Sequence, residues 1–502
     1  MPFVSIIVEF LRARPRGVFW TATLAQAALW LLVPVLFYAS PPGDLPELLS
    51  IGREWHLGSH AGPPLSAWLA EAAFRAAGHR IFGVYLLSQF CVIGAFWFVF
   101  ALARSLAGTH HAALAVLLMG GILVLSFPTP EFGAAILAMP LVAAALLFYW
   151  RAVAERRRNY WLALAFTLGL LLLTTYWALL VVALMAGFTI ATREGRAALR
   201  LIDPYAALVL ALLIPFPHVV WLWESGAPVT LAVGAADSLA ARLAWWPLLL
   251  LIAIAVHVGL GLLAVIASGV GEPRLQPVPE INGPAPPSLA RRFVFFFALA
   301  PVLTGTLLAS LLNVGWSPAW FAPAVLLSGA ALVVWAGRRV RLFRQHVVGS
   351  VWLVLLLTPA LAAIAAMLIM PWTLAFELST QQPAAAMARF FTETYRRRTG
   401  QPLLSIAGDA RLAEIIALAS SDRPRVFAAE QPERTPWITE DDVLRTGGVV
   451  VWHFRDATGQ APQSIRARFP EMIPEVPQTF ARPVQGIMPT LRIGWGLIRP
   501  AQ

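Results

Sequence analysis

Lysine does not occur among the 502 residues, and cysteine occurs once, as Cys91. A lone cysteine excludes a disulfide framework and a thiolate metal site. All 37 basic side chains are therefore arginines, which keep their charge at any physiological pH. Charge itself is scarce, at 13% of residues against 59% hydrophobic ones, and the mean hydropathy is +0.72. A soluble globule of this length is not so apolar, so the chain is a polytopic membrane protein. In a soluble protein the formal charge of +11 would suggest nucleic acid. Here the arginines sit in short clusters between apolar runs and read as topology signals, with no nucleic-acid partner. No cleavable signal is evident, because the first apolar run, ending in "LFYASPPGD", is at roughly twenty residues long enough to span. An internal repeat is also missing, and with it the inverted-repeat signature of many secondary transporters.

What is there is a succession of apolar runs beginning near Gly17, Ile81, His110, Phe132, Trp161, Tyr176, Leu201, Leu243, Phe293, Ala319 and Val347. At roughly twenty residues per crossing this gives about eleven transmembrane helices. The fifth and sixth share "YWLALAFTLGLLLLTTYWALLVVALMAGF", which holds two short helices only if hinged near Thr174 and Thr175. With a cytoplasmic amino terminus, the inner loops carry Arg12, Arg14, Arg16, Arg104, Arg151, Arg156 to Arg158 and later clusters, while the outer side of the membrane half carries only Arg53, Arg75, Arg80 and Arg242. That asymmetry obeys the positive-inside rule, and an odd span count puts the carboxy terminus outside. "GEPRLQPVPEINGPAPPS" reads as a flexible cytoplasmic linker. After Met370 the polarity becomes that of a soluble domain. "PLLSIAG", "RPRVFAA" and "GGVVVWHF" read as strands and "DARLAEIIALAS" as a helix. The expected domains are a membrane domain, 1–370, with an outer loop over 40–80 carrying interfacial helices, and an outer α/β domain, 371–502.

Charged groups at a membrane edge cost several kcal/mol unless paired or solvated, so their placement carries information. On the outer side they gather in the 40–80 loop, in "FPTPEFGAA" with Glu131, and in "PFPHVVWLWESG" with His218 and Glu224. Within the first loop, "PLSAWLAEAAFRAAG" puts Leu65, Trp68, Leu69 and Ala72 on one face, and Glu71 with Arg75 as an i,i+4 pair on another. Such a helix lies in the interface. Carboxylates beside an arginine-rich outer loop suit a reaction on an anionic, membrane-bound substrate, in which cations hold a phosphate and a carboxylate handles a hydroxyl proton.

The run from Gly43 to Ser88 resembles the first outer loop of GT-C glycosyltransferases, in particular bacterial relatives of the protein O-mannosyltransferases and of the lipid A aminoarabinose transferase. The resemblance rests on Asp44, on Gly52-Arg53-Glu54 for an "ARE" element, on Pro63-Pro64-Leu65 with Ala67-Trp68-Leu69, and on Phe82-Gly83. Downstream, "TPEFGAA" is similar to a "TPD" element, "TTYWALL" to a "KY" span and "NVGWSPAW" to an "NWPAPAY" segment, and "SIAGDARLAEIIALASSDRPRVFAAE" to the start of an outer domain. The resemblance implies a bacterial inner-membrane enzyme. It would move a sugar from a polyprenyl phosphate, with inversion, to a periplasm-facing acceptor: lipid A or core sugar, another envelope glycan, or protein. By the same resemblance Asp44 is the base and Glu131 the second acidic residue. Arg53, Glu54, His56, His60, Arg75, Arg80 and Tyr176 would contact substrate. Two family lysines are replaced, by Gly62 and by Thr175, so arginine must take over the donor phosphate.

Plainer roles compete. Asp44 follows a turn signal and suits a helix N-cap, Glu131 can complement a helix dipole, and Arg75 and Arg80 can snorkel to headgroups. His110 and His111 point about 100° apart on a helix and make no metal pair. No cofactor is implied, although a divalent metal near Asp44, Glu131, His56 and His60 stays open. Rival functions are a flippase for a lipid-linked glycan and a non-catalytic glycolipid-binding relative.

Overall fold

The computed structural model describes residues 9–127, 129–226, 238–269, 280–313, 321–374, 376, 378–454 and 460–500. The chain divides into two compact units, one of Met1–Leu32, Ala61–Leu65 and Tyr85–Leu361, the other of Val33–His60, Ser66–Val84 and Ala362–Gln502.

Helix α1 (Pro15–Phe37) is followed by two short helices, α2 (Leu45–Glu54) and α3 (Leu65–Ala76), and by α4 (Phe82–Ala107). Then come α5 (Thr109–Met119), α6 (Ala134–Val153), α7 (Asn159–Leu172), α8 (Ala178–Ala191), α9 (Asp203–Leu213), α10 (Phe216–Ser225), α11 (Leu239–Ala255), α12 (Val258–Ser268), α13 (Ser288–Leu311), α14 (Ala322–Ala336) and α15 (Gln345–Thr373). Helices α1, α4, α6, α13 and α15 are long and apolar enough to cross a bilayer singly. The pairs α9–α10 and α11–α12, bent by 45° and 50°, qualify as broken spans. Pro215 and Pro217 remove two N–H donors at the first bend. The shorter apolar helices α5, α7, α8 and α14 stand where the sequence places four further spans. The expected hinge at Thr174 and Thr175 is the break between α7 and α8, where Trp177 N–H bonds Thr175 Oγ1 at 3.3 Å. This is a mostly helical, multi-pass membrane protein. Its first unit is packed partly by rings: Tyr149 meets Phe188, Phe293 and Phe297 with centroids 6.1 to 6.3 Å apart.

The stretch read as a linker ends in structure. Strand β1 (Glu280–Asn282) pairs antiparallel with β2 (Arg339–Arg341), Ile281 opposite Val340, while its first part lies outside the described residues.

In the second unit α2 and α3 cross closely: a Cβ at Gly52 would lie 2.2 Å from the Ala67 carbonyl oxygen, so only glycine fits in the "GRE" element. Helix α16 (Ala384–Thr399) leads into β3 (Ser405–Gly408), α17 (Ala410–Ala419), β4 (Arg425–Ala428), α18 (Glu440–Thr446), β5 (Gly448–His453), β6 (Ile473–Pro474), β7 (Gln478–Phe480) and β8 (Leu491–Ile498). The sheet order is β4-β3-β5-β8-β6, with β7 also on β8. Strands β4, β3 and β5 are parallel, joined through α17 and α18, and β8 is antiparallel to β5. Asp409 caps α17, accepting from Leu412 N–H at 3.0 Å, and a Thr439–Asp442 capping box starts α18. One face buries Ile406, Val449 and Val451 against α16 and α17, the other Phe427, Val450 and Trp452. Val449 to Trp452 are all buried, the continuous apolar run of a strand covered on both sides. The three strands and the helix read from the sequence are β3, β4, β5 and α17.

Candidate active site

Asp44 stands at the N-cap position of α2, yet its side chain makes no cap hydrogen bond. The carboxylate is 90% exposed and lies 3.7 Å from Arg411 Nη1. Arg411 is held in place by a 3.0 Å bond from Nη2 to the Gly43 carbonyl. One turn along α2, Glu47 Oε1 meets His60 Nε2 at 2.5 Å and Arg434 Nη2 at 2.6 Å. Burial alone would raise the Glu47 carboxyl, but the hydrogen bonds from His60 and Arg434 outweigh it and hold it below its ordinary value. Glu414, on α17 three residues after Arg411, is only 7% exposed. Burial first and the charge of Glu47 second push it up to about 8, against the pull of Arg434 and Arg411. Asp44, Glu47, His60, Arg411, Glu414 and Arg434 thus form one cluster of carboxylates and cations in the second unit. Arg411, Glu414 and Arg434 escaped the sequence reading, and Glu47 had no site role in it. Glu47 follows Asp44 by a helical turn, a local signal, but nothing local ties positions 411, 414 or 434 to position 44.

The other loop candidates in this unit are engaged differently. Glu71, with a side chain of 0% exposure, accepts from Arg75 Nε at 2.6 Å and from Arg423 Nη1 and Nη2 at 2.8 and 3.0 Å. Again burial would raise it, and the Arg423 and Arg75 bonds hold it low. Glu54 takes Arg425 in a fork at 3.0 and 2.6 Å, and Arg53 donates to the Arg423 carbonyl. Arg53, Glu54 and Arg75 are therefore partners in a network that joins α2 and α3 to the α17–β4 connection. The cleft between Arg53 and Arg425, about 20 Å³, has room for about a water. His56 stacks on Trp437 at 5.9 Å and 24°. Arg80 is exposed in the turn before α4 and makes no ion pair among the described residues.

Glu131 and Tyr176 belong to the first unit. Glu131 is exposed ahead of α6. Tyr176, in the α7–α8 break, meets His218 Nε2 through its hydroxyl at 3.2 Å, and His218 stacks between Tyr176 and Trp221, 5.9 Å from each. The Pro63-Pro64 segment packs on the same break through Leu65 N–H to Leu173 O, 3.0 Å. Gly62 there has φ +117, and a Cβ on it would come within 3.9 Å of Tyr176 Cε2. Beside the break opens an apolar cavity of about 250 Å³, lined by residues including Ala134, Val142, Thr175, Trp177, Gly305 and Leu327. Among the described residues no group of three or more His, Cys, Asp or Glu is placed to hold a metal. Most of the "NVGWSPAW" segment, 314–320, lies outside the described residues.

Comparison with known proteins shows what the chain is similar to. Over 97% of its length the chain superposes on 99% of ArnT from Cupriavidus metallidurans bound to undecaprenyl phosphate, with a TM-score of 0.63 and 11% identity. For the apo state of the same ArnT the coverage and identity are the same and the TM-score is 0.60. Residues 61–221 match the profile of a family described as dolichyl-phosphate-mannose-protein mannosyltransferase. Among curated proteins, none matches this chain. The family match covers residues 61–221 alone, and the likeness to ArnT, at 11% identity, shows a shared fold.

Proposed function

We propose that the protein is an inverting glycosyltransferase of the bacterial inner membrane, which takes a sugar from a polyprenyl phosphate and delivers it to a periplasm-facing acceptor: lipid A or core sugar, another envelope glycan, or protein. The observation that carries this reading is Asp44. A carboxylate whose task is capping bonds the N–H groups of its own helix. Asp44 instead stays exposed beside Arg411, free to accept a proton from an acceptor hydroxyl while the anomeric carbon opens. If the acceptor is itself a phosphate, the carboxylate orients it.

The apolar cavity beside Thr175 is assigned to the prenyl chain, which supports the reading because the ArnT structure was solved with undecaprenyl phosphate. With lysine missing, the donor phosphate is assigned to arginine. Arg80, exposed and in no ion pair among the described residues, has N–H groups to offer, whereas Arg53 donates to the Arg423 carbonyl and Arg75 to Glu71. Glu131 is the proposed second acidic group and Tyr176 with His218 the proposed donor contact. The periplasmic position of 371–502 and a count of eleven spans belong to the same proposal.

A second reading, a glycolipid-binding protein without transferase activity, is favoured by one observation. Gly62 is not simply a lysine trimmed back, since its φ of +117 makes it the residue that conformation prefers. Purified protein in lipid nanodiscs, given radiolabelled undecaprenyl-phosphate sugars and an envelope extract, separates the two. Label moving to an acceptor with release of undecaprenyl phosphate supports transfer; donor retained intact and bound supports the second reading.

A further inference from the structure

A second cavity, of about 230 Å³, lies in the first unit and shares no residue with the apolar one. Its cations are Arg16, Arg104 and Arg151, and its rings include Phe19, Trp20, Trp97 and Phe100. Arg16 is in the first turn of α1, and Arg104 and Arg151 are in the last turns of α4 and α6, so three helix ends converge there. The lining contains no acidic residue, and none of the three arginines forms an ion pair with a carboxylate among the described residues. Arg151 Nη1 donates to the Tyr160 hydroxyl at 2.7 Å.

A structural role explains part of this. Arginines in the last turns of α4 and α6 complement the negative ends of those helix dipoles. Arg16 has the opposite placement: a cation in the first turn of α1 is disfavoured by the dipole. Three cations around one cavity also repel one another, and an anion among them removes both costs. Trp20 and Trp97 are 41% and 44% exposed, at the level where helix ends and arginines mark a membrane boundary. Phe19 stacks on Phe100 at 4.5 Å and gives the cavity an apolar wall. Phosphate chemistry inside and exposed indoles at the rim fit a lipid rather than a soluble ion. Helix α7 runs from Tyr160 beside Arg151 to the apolar cavity, a helix length of about 20 Å, so this is not the proposed donor site.

We infer that Arg16, Arg104 and Arg151 bind the phosphate of an anionic phospholipid, with its acyl chains against Trp20 and Trp97, at the arginine-rich face. The inference is independent of transferase activity. The test uses delipidated full-length protein with dioleoylphosphatidylglycerol, dioleoylphosphatidylcholine or inorganic phosphate, read by native mass spectrometry and thermal unfolding. Phosphatidylglycerol should be retained and should stabilise the protein, and the other two should not. Each arginine within reach of an anionic headgroup is worth about fivefold in affinity, so R16Q/R104Q should bind phosphatidylglycerol about thirtyfold more weakly. R193Q, which removes an exposed arginine elsewhere, should bind as the parent does. If the double variant folds poorly, R16Q alone should show about a fivefold loss. Equal retention of phosphatidylcholine, equal stabilisation by inorganic phosphate, or unchanged binding in the Arg16 variants would overturn the inference.

Discussion

Replacing Glu414 by Gln should stabilise the second unit, and by an amount that grows with pH. The carboxyl is 7% exposed and its ionisation is moved from the ordinary 4.5 to about 8. Between those values the folded protein holds a proton that the unfolded chain releases, so stability falls as pH rises, by about 1.4 kcal/mol per pH unit. The loss begins near the unfolded value of 4.5, and levels off above the folded value of about 8. At pH 7 the wild type has traversed about 2.5 units of that window, a cost of about 3 kcal/mol at most. Glutamine has nearly the same shape and no proton to hold. Hydrogen exchange at the buried β3 amides of Ile406 and Ala407 in the full-length protein provides the assay. Protection in Glu414→Gln should match wild type near pH 4.5 and exceed it by on the order of a hundredfold at pH 7. A difference that does not change with pH, or one of opposite sign, would refute a neutral buried Glu414.

Three further outcomes are expected. Gly305→Leu should raise the KM for the donor lipid with little loss of folding, because a Cβ there meets only Leu180 Cδ2 at 3.8 Å and the longer side chain would enter the apolar cavity; an unchanged KM would separate that cavity from the donor. Gly62→Ala should destabilise the first unit by about 1 kcal/mol through the positive φ alone, measurable as a lowered melting temperature in detergent. Glu71→Gln should weaken the unit built from α2, α3 and the α17–β4 connection by about 3 kcal/mol, since the buried carboxylate and its ion pairs with the part-buried Arg423 and with Arg75 would be lost; proteolysis between residues 40 and 80 reports it.

The apolar helices were legible because each is an apolar run of spanning or near-spanning length, and the α7–α8 hinge because two threonines interrupt one; the polar α2 and α18 were not. Strands β3 to β5 were legible as short β-branched runs between turn residues, whereas β8 was not, since Gly494 and Gly496 break its alternation. The membership of 33–60 and 66–84 in the unit of the carboxy-terminal segment had no local signal. It depends on pairs such as Glu71 with Arg423, 352 positions apart. The same reason separates the site that was read from the site that folds. Asp44 was found through a motif, while Arg411, Glu414 and Arg434 reach it only through the placement of α17 and the segment after β4. Arg53 and Arg75 looked available in a hydrophilic loop because Arg423 and Arg425, the groups that occupy them and their neighbours, are distant in sequence.

The general-base assignment is tested most directly by one comparison: sugar transfer from radiolabelled undecaprenyl-phosphate donors by wild type and by Asp44→Asn, with donor binding measured on the same preparations. Asparagine keeps the shape and removes the proton-accepting charge of an exposed side chain that supports no helix cap. The expected result is loss of transfer by on the order of a hundredfold or more with donor binding retained. Wild-type transfer by Asp44→Asn would contradict the assignment.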